Sequence, residues 1–397
     1  MVVVDIRTAA RDFDADPHSF YAELRAAGPV HQVSGMAMVA DTNWLVVGYE
    51  EARQALNHPD LLKDWRTSGM YPELVATSAG TNMLESDPPH HTRLRRLVAR
   101  EFTARRVEAM RPRVQQITDE LLDAMAARPE RSADLIEALA FPLPMTVICE
   151  LLGVPDLDRE RFRQWSNAVV APVAPDLNST VQQQLGAYLA DLIEAKAKAP
   201  GDDLLSALIR TRDEDGDALS PDELIGMAFL LLIAGHETTV NLISNGLRAL
   251  LDHPAQLDAL RADYDGLLGG AVEEMLRYDG PVQNATYRHA ARDVELGGAV
   301  IPAGAVVFVS LAGADRDPAR YPEPDGFDIH RAPQGHLAFG HGLHFCIGAP
   351  LARMEGRIAL RGLLERFPDL ARDTRADPLD WLPGILMHGT TRLPVRW

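Results

Sequence analysis

Between Ser220 and Leu251 the sequence encodes a helix long enough to cross a whole domain, and the rest of the chain has to pack around it. Ser220-Pro221-Asp222-Glu223 is a strong helix start: the serine can cap, the proline suits the first turn, and Glu223 completes a capping box. The pattern runs on to Leu251, ahead of Pro254, which is roughly 30 residues or about 45 Å at the α-helical rise. Met227 to Ile233 is apolar nearly all round, so burial on most faces is expected. The run ends in Ala234-Gly235-His236-Glu237-Thr238-Thr239. A carboxylate there is costly without partners. Gly235 weakens the helix locally, and a threonine hydroxyl competes for a backbone carbonyl. This predicts a local opening beside a cavity, where Glu237 and Thr238 could carry protons from solvent to a buried centre. A satisfied polar patch in a core helix is the competing reading. His236 points elsewhere by helical spacing and is given no proton role.

With 397 residues and 46% apolar content, the chain can bury one large core. A net charge of -18 argues against nucleic-acid binding. Basic charge is almost all arginine; Lys63, Lys196 and Lys198 are the only lysines. The two cysteines, Cys149 and Cys346, make no disulfide framework, which fits a reducing cytoplasm. The N-terminus lacks a signal-peptide pattern, and the longest apolar stretch is short of the roughly 20 residues a spanning helix needs. A soluble protein without a membrane segment is expected.

The fold class is mainly α with a minor β portion, in a single domain over 1–397. Strand signals lie at Val30 to Val33, Trp44 to Val47 and Val294 to Val309, the last broken by Gly297-Gly298 and Pro302-Ala303-Gly304 turns. Helix-like periodicity dominates from Pro89 to Leu268. Lys63 to Leu84 reads as a long loop or short helical pieces, and long loops in compact domains are usually functional. The tail from Leu386 to Val395 is extended.

Three further patterns carry chemistry. Glu274 and Arg277 share a helical face at i,i+3, which alone is an ordinary pair of small value. His91 and Arg95, at i,i+4, can reach one anion, and Arg100, Arg105, Arg106, Arg111 and Arg113 extend that basic run. Cys346 ends the run Phe339-Gly340-His341-Gly342-Leu343-His344-Phe345, with Gly348 and a helix to about Arg366 after it. The helix N-terminus favours a thiolate there. That thiolate could be a nucleophile using His341 or His344 as base, or the sole protein ligand of an iron; zinc would want more ligands than the loop supplies.

Taken together, these segments resemble the cytochrome P450 monooxygenases over essentially the whole chain. Phe339-Gly340-x-Gly342-x-His344-x-Cys346-x-Gly348 resembles their haem-binding signature, Ala234-Gly235-x-Glu237-Thr238-Thr239 their oxygen-activation motif, and Glu274-x-x-Arg277 their Glu-x-x-Arg motif. The resemblance implies haem b, buried between the central helix and the cysteine-loop helix, with Cys346 as axial iron ligand. It makes Thr238 and Glu237 the proton-delivery pair, with Glu274, Arg277 and Arg331 a structural network. His91, Arg95, Arg288 and His344 would bind the haem propionates, with Phe339 and Gly348 beside the thiolate. The pocket would draw on Met83, Leu84, Leu231, Leu232, Ala234, Val282, Asn284, Ala285, Leu386 and Met387, mostly apolar residues suited to a bulky hydrophobic molecule. Met387-His388-Gly389 departs from the family's arginine before that glycine. The implied partners are O2 and a ferredoxin with its NAD(P)H-dependent reductase, the chain itself being a monomer. Arg353, Arg357 and Arg361, with Arg100 and Arg106, would form the docking face. The implied activity is hydroxylation or epoxidation of a macrolide or other polyketide. The alternatives are a sterol-like or xenobiotic substrate, a non-hydroxylating reaction (coupling, desaturation, peroxygenation), or a haem sensor.

Overall fold

The central helix spans Pro221–Asp252, and its start is closed as the sequence predicts: Ser220 Oγ accepts from the Glu223 N–H and the Glu223 carboxylate accepts from the Ser220 N–H. In this computed structural model, described over residues 3–6, 13–35, 43–68, 80–155, 165, 175–212, 216–331, 335–376 and 378–397, it is the element around which the helical core assembles. Met227, Leu232, Ile243 and Leu247 are all buried in that core with Val147, Ile148 and Leu363. It is also the one described helix whose length and composition would allow it to span a bilayer, but 72% of its most apolar window is buried in protein.

The helix is α-helical throughout, so the predicted opening at Gly235 is not found. Gly235 answers a packing demand instead. A Cβ there would lie 2.9 Å from Cδ1 of Ile148, on the helix Pro142–Leu152, so only glycine lets the two helices approach this closely.

Six strands form the main sheet, in the order Val4–Asp5, Val30–Ser34, Asn43–Val46, Val306–Ser310, Asn284–Ala290 and Leu61–Leu62. Trp44 faces Val307 in a parallel pairing, and Asn284 faces Ser310 in an antiparallel one. The strand at 284–290 is not evident from the sequence pattern. Its register shifts between Ala285 and Arg288, and such irregularities re-aim side chains. The Gly297-Gly298 turn joins Val294–Leu296 to Ala299–Ile301 with both glycines at positive φ, as expected.

The C-terminal turn is held by side chains from the segment after the Glu274 helix (Tyr264–Asp279). Gln283 Nε2 donates to the carbonyls of Gly384 and Met387 at 2.9 and 3.1 Å, Asn284 Nδ2 donates to that of Ile385 at 2.6 Å, and Val282 bridges to Met387. Below this clasp, His388 occupies the position where the family arginine was expected. His388 and His18 each place Nε2 3.2 Å from the same Asp279 oxygen, while Arg248 holds the other oxygen and Trp381 stacks on His388.

Burial and the charge of Arg316 hold His18 down to about 4, against its ordinary 6.5. The unfolded chain therefore takes up this proton near pH 6.5, whereas the folded protein resists it until about pH 4. Stability is thus present above the higher value and falls with pH through that window, by up to about 3 kcal/mol. Urea unfolding at pH 7, 6, 5 and 4.5 should show this slope, and His18→Gln should flatten it; an unchanged slope in the variant would assign the acid sensitivity to other groups.

Candidate active site

The cysteine loop is shaped by two left-handed glycines, Gly340 (φ 73°) and Gly342 (φ 72°). At Gly342 a Cβ would also strike Asn57. Backbone bonds close the loop: Gly340 N–H to the Leu337 carbonyl at 2.7 Å, Phe345 N–H to Gly342 at 3.1 Å, and Cys346 N–H to Phe339 at 2.9 Å. Gly348 has ordinary right-handed φ and precedes the helix Ala349–Arg366; a Cβ on it would meet Cys346 Sγ at 3.7 Å, an ordinary contact. Protein contacts around Gly348 therefore do not themselves require a glycine there.

Cys346 is solvent-accessible, although protein atoms crowd most directions around its sulfur. Burial pushes the thiol up, and the N–H groups of Gly348 and Ala349 with the charges of Arg95 and Arg353 only partly offset it. The helix N-terminus therefore does not by itself yield a thiolate. A resting nucleophile would need a lowered pKa and a bonded base, and no hydrogen bond joins Sγ to His341 or His344 among the described residues. A thiolate stabilised by a bound cation such as iron fits this environment better.

A cluster of cationic and imidazole groups adjoins the loop. His91 is buried with both ring nitrogens unpartnered among the described residues, and its ring centroid lies 4.3 Å from that of His344. Arg95, one turn on, donates to the Phe345 carbonyl at 2.6 Å. Arg288 is buried, and among the described residues its hydrogen bonds are long, to the carbonyls of Thr286 and Leu56 at 3.4 and 3.5 Å. Lys63, which the motifs did not identify, is buried too, and its Nζ donates to Thr286 Oγ1 and the Tyr287 carbonyl at 2.5 and 2.9 Å. Burial lowers all five; it takes Lys63 to about 7 and Arg288 to about 10, and together with the charges of Lys63, His91, Arg288 and Arg95 it takes His344 to about 2. Cationic and imidazole groups gathered this closely, with His91 lacking a hydrogen-bond partner among the described residues, form a site suited to a multiply charged anion. The two carboxylates of a haem would satisfy that demand. The available signal for Lys63 was its rarity, as one of three lysines in an arginine-rich chain.

On the central helix, Leu230, Ala234 and Thr238 recur every four residues as a more accessible stripe, with Ala234 exposed mid-helix. Thr238 Oγ1 donates to the Ala234 carbonyl at 2.8 Å, which leaves its lone pairs free to accept a proton donor. Glu237 is buried. His236 Nε2 lies 3.3 Å from its carboxylate, so the expectation that His236 points away is corrected. Its Nδ1 meets the Leu232 carbonyl at 2.9 Å, which turns the ring back along the helix toward its neighbour.

Of the expected pocket residues, Leu232 is 0% and Asn284 1% exposed. Neither has surface to offer a ligand: Leu232 is core, and Asn284 Nδ2 is spent on Tyr21 and the Ile385 carbonyl. Leu230 takes the place of Leu232 on the accessible stripe. Met83, Leu231 and Met387 keep only 6–7% exposure, whereas Leu84, Val282, Ala285 and Leu386 are half-buried. Residues 69–79 of the predicted 63–84 loop lie outside the described residues.

The structure brings Glu274, Arg277 and Arg331 together. Glu274 and Arg277 pair at 2.7 and 2.8 Å with 2% exposure each. Arg277 also donates to the carbonyls of Asp315, Pro324 and Gly326, and Glu274 accepts from Arg331 and the Asp328 N–H. The docking arginines differ from expectation. Arg353 is paired with Glu273, Arg361 with Asp265 and Glu365, and Arg106 with Glu101, so much of their charge is spent internally.

A family model described as cytochrome P450 matches residues 8–183 and 179–391. The cytochrome P450 monooxygenase PikC of Streptomyces venezuelae is 58% identical over 395 residues, covering 100% of this chain and 94% of that protein. The 6-deoxyerythronolide B hydroxylase of Saccharopolyspora erythraea is 45% identical over 397 residues, covering 97% and 96%. Among solved structures, the tirandamycin C-bound P450 monooxygenase TamI superposes with a TM-score of 0.89 at 43% identity, covering 99% of each chain.

Proposed function

The chain belongs to the cytochrome P450 family, and we propose that it is a haem-thiolate monooxygenase, one domain over 1–397, that inserts one oxygen atom of O2 into a bulky hydrophobic molecule of the macrolide or polyketide type. The observation that carries this reading is the pairing of a cysteine loop with five cationic or imidazole groups beside it, of which Lys63, His91 and Arg288 are buried and Arg95 and His344 half-buried. A relative named as a 6-deoxyerythronolide B hydroxylase and a solved relative with tirandamycin C bound support the substrate class.

Bound haem would supply the iron and porphyrin at which O2 is reduced and the substrate oxidised. Cys346 would hold the iron, and Lys63, His91, Arg95, Arg288 and His344 the propionates. Haem b, attached without thioether bonds, suits a chain whose other cysteine, Cys149, lies 3.8 Å from the Met145 sulfur on a separate helix. Thr238 receives a proton at its hydroxyl oxygen and passes one on, with Glu237 and the adjoining His236 as its supply. Ala234, lacking bulk, keeps that stretch of helix open to a ligand. Val282, Ala285, Leu386 and the C-terminal turn exclude water and orient the apolar substrate. Electrons come from a separate redox protein, proposed to be a ferredoxin served by a reductase; the exposed Leu343 and Phe345 beside Cys346 offer it an apolar contact. The cytoplasm is the proposed location and a monomer the working state.

Turnover with isotopically labelled O2 and a panel of macrolactones tests the reading. One labelled oxygen per product molecule is expected; a product whose new oxygen is unlabelled, and so drawn from water, would overturn it. Thr238→Ala should cut product formation by about a hundredfold, the low end for a positioned proton carrier. Electron consumption should persist as hydrogen peroxide or water, and haem content should not change. Full coupling in that variant would remove Thr238 from the relay.

A further inference from the structure

Glu273 precedes the family's buried glutamate and belongs to none of the motifs, yet it organises the ground beneath the cysteine loop. Its carboxylate accepts from Arg353 Nε and Nη2 at 2.6 and 2.8 Å, and His336 Nε2 lies 3.0 Å from it. Its side chain is 12% exposed, and His336 5%. Burial raises the Glu273 carboxyl, but the bonds from Arg353 and His336 more than offset it and take it to about 2, so it is anionic at any working pH.

Arg353 is thereby fixed over the Phe339 ring, its guanidinium carbon 4.4 Å from the centroid. Phe339 in turn packs edge-on against Phe345, and its carbonyl accepts the Cys346 N–H at 2.9 Å. The chain of contact therefore runs from Glu273 through Arg353 and Phe339 to the loop backbone at Cys346. The charge of Arg353 also reaches the sulfur. Arg353 itself is half-buried, so the pair is partly shielded from water and holds its arginine in a fixed fork rather than as free surface charge.

We propose that Glu273 is a positioning residue: it fixes and neutralises Arg353 over Phe339, and the pair sets the reduction potential of a metal held at Cys346. This rests on the reading of Cys346 as the iron ligand. The field of a charge in a poorly screened site acts directly on an electron added nearby. Removing the negative member leaves a net positive charge and favours the reduced state; removing the positive member does the reverse.

The test is spectroelectrochemistry of the haem-loaded protein at one fixed pH and ionic strength. Glu273→Gln should raise the equilibrium constant for reduction by about tenfold, which is about 59 mV for a one-electron couple. Arg353→Gln should lower it by a similar factor. The double variant, whose pair is again neutral, should return to within about threefold of the parent. Arg353→Lys, which keeps the charge and loses the fork, should stay near the parent as well. Opposite signs with cancellation support the proposal. Single variants that shift the same way, or neither by more than about twofold, overturn it and reduce Glu273 to packing. The parent's ferrous–CO band reports the ligand reading separately.

Discussion

Replacing Cys346 by histidine should abolish the red-shifted Soret band of the ferrous–CO complex and eliminate turnover, while the protein is expected still to fold and to retain some haem. The reason lies in what the rest of the site already provides. The cationic groups at Lys63, His91, Arg95, Arg288 and His344 do not depend on the sulfur for their positions, so propionate binding should survive the change. The loop is closed by backbone bonds among Leu337, Phe339, Gly340, Gly342 and Cys346, which are indifferent to the side chain at 346. Only the electron-rich axial ligand is removed, and imidazole does not replace thiolate in driving O–O cleavage. Visible spectra of the purified variant under CO, with haem counted against protein, decide the matter. A retained red-shifted band would overturn the ligand assignment.

Replacing Glu274 by glutamine should do the opposite, leaving the chemistry nominally intact and the fold impaired. Arg277 would stay buried at 2% exposure with its charge uncompensated, and Arg331 and the Asp328 N–H would share a weaker acceptor. Breaking a buried pair by removing one partner costs about 3–5 kcal/mol, a large part of a typical domain's stability. Low yield, a depressed unfolding midpoint and poor haem retention are expected together. Arg277 cannot turn elsewhere for relief, because its remaining donors already hold the carbonyls of Asp315, Pro324 and Gly326. A midpoint within a degree or two of the parent would show that the network is not structural.

Much of the architecture was readable because it rests on local rules. The capping box at Ser220, the glycine pair at 297–298 and the helix after Cys346 each follow from near neighbours, and the structure has them where the sequence puts them. What was missed depends on contacts distant in sequence. The strand Asn284–Ala290 has no clean alternation, because its partners Val306–Ser310 and Leu61–Leu62 set its limits. Gly235 looked like a weak point of a helix, and only the presence of Ile148 shows it to be a contact surface. Lys63 lies more than 200 residues from the Thr286 and Tyr287 carbonyls it meets, so no spacing rule could join them. Arg353 looked like free charge because its acid, Glu273, sits on another helix, as does Asp265, one of the two acids that hold Arg361.

The clasp of Gln283 and Asn284 on the C-terminal turn bears on how such enzymes diversify. The turn's carbonyls at Gly384, Ile385 and Met387 are held by side chains about a hundred residues earlier, so neither segment keeps its shape without the other. The two behave as a single heritable cassette. A new specificity imported from a relative by grafting only the last 15 or so residues would arrive without its fastening, unless the residues at 283 and 284 travel with it.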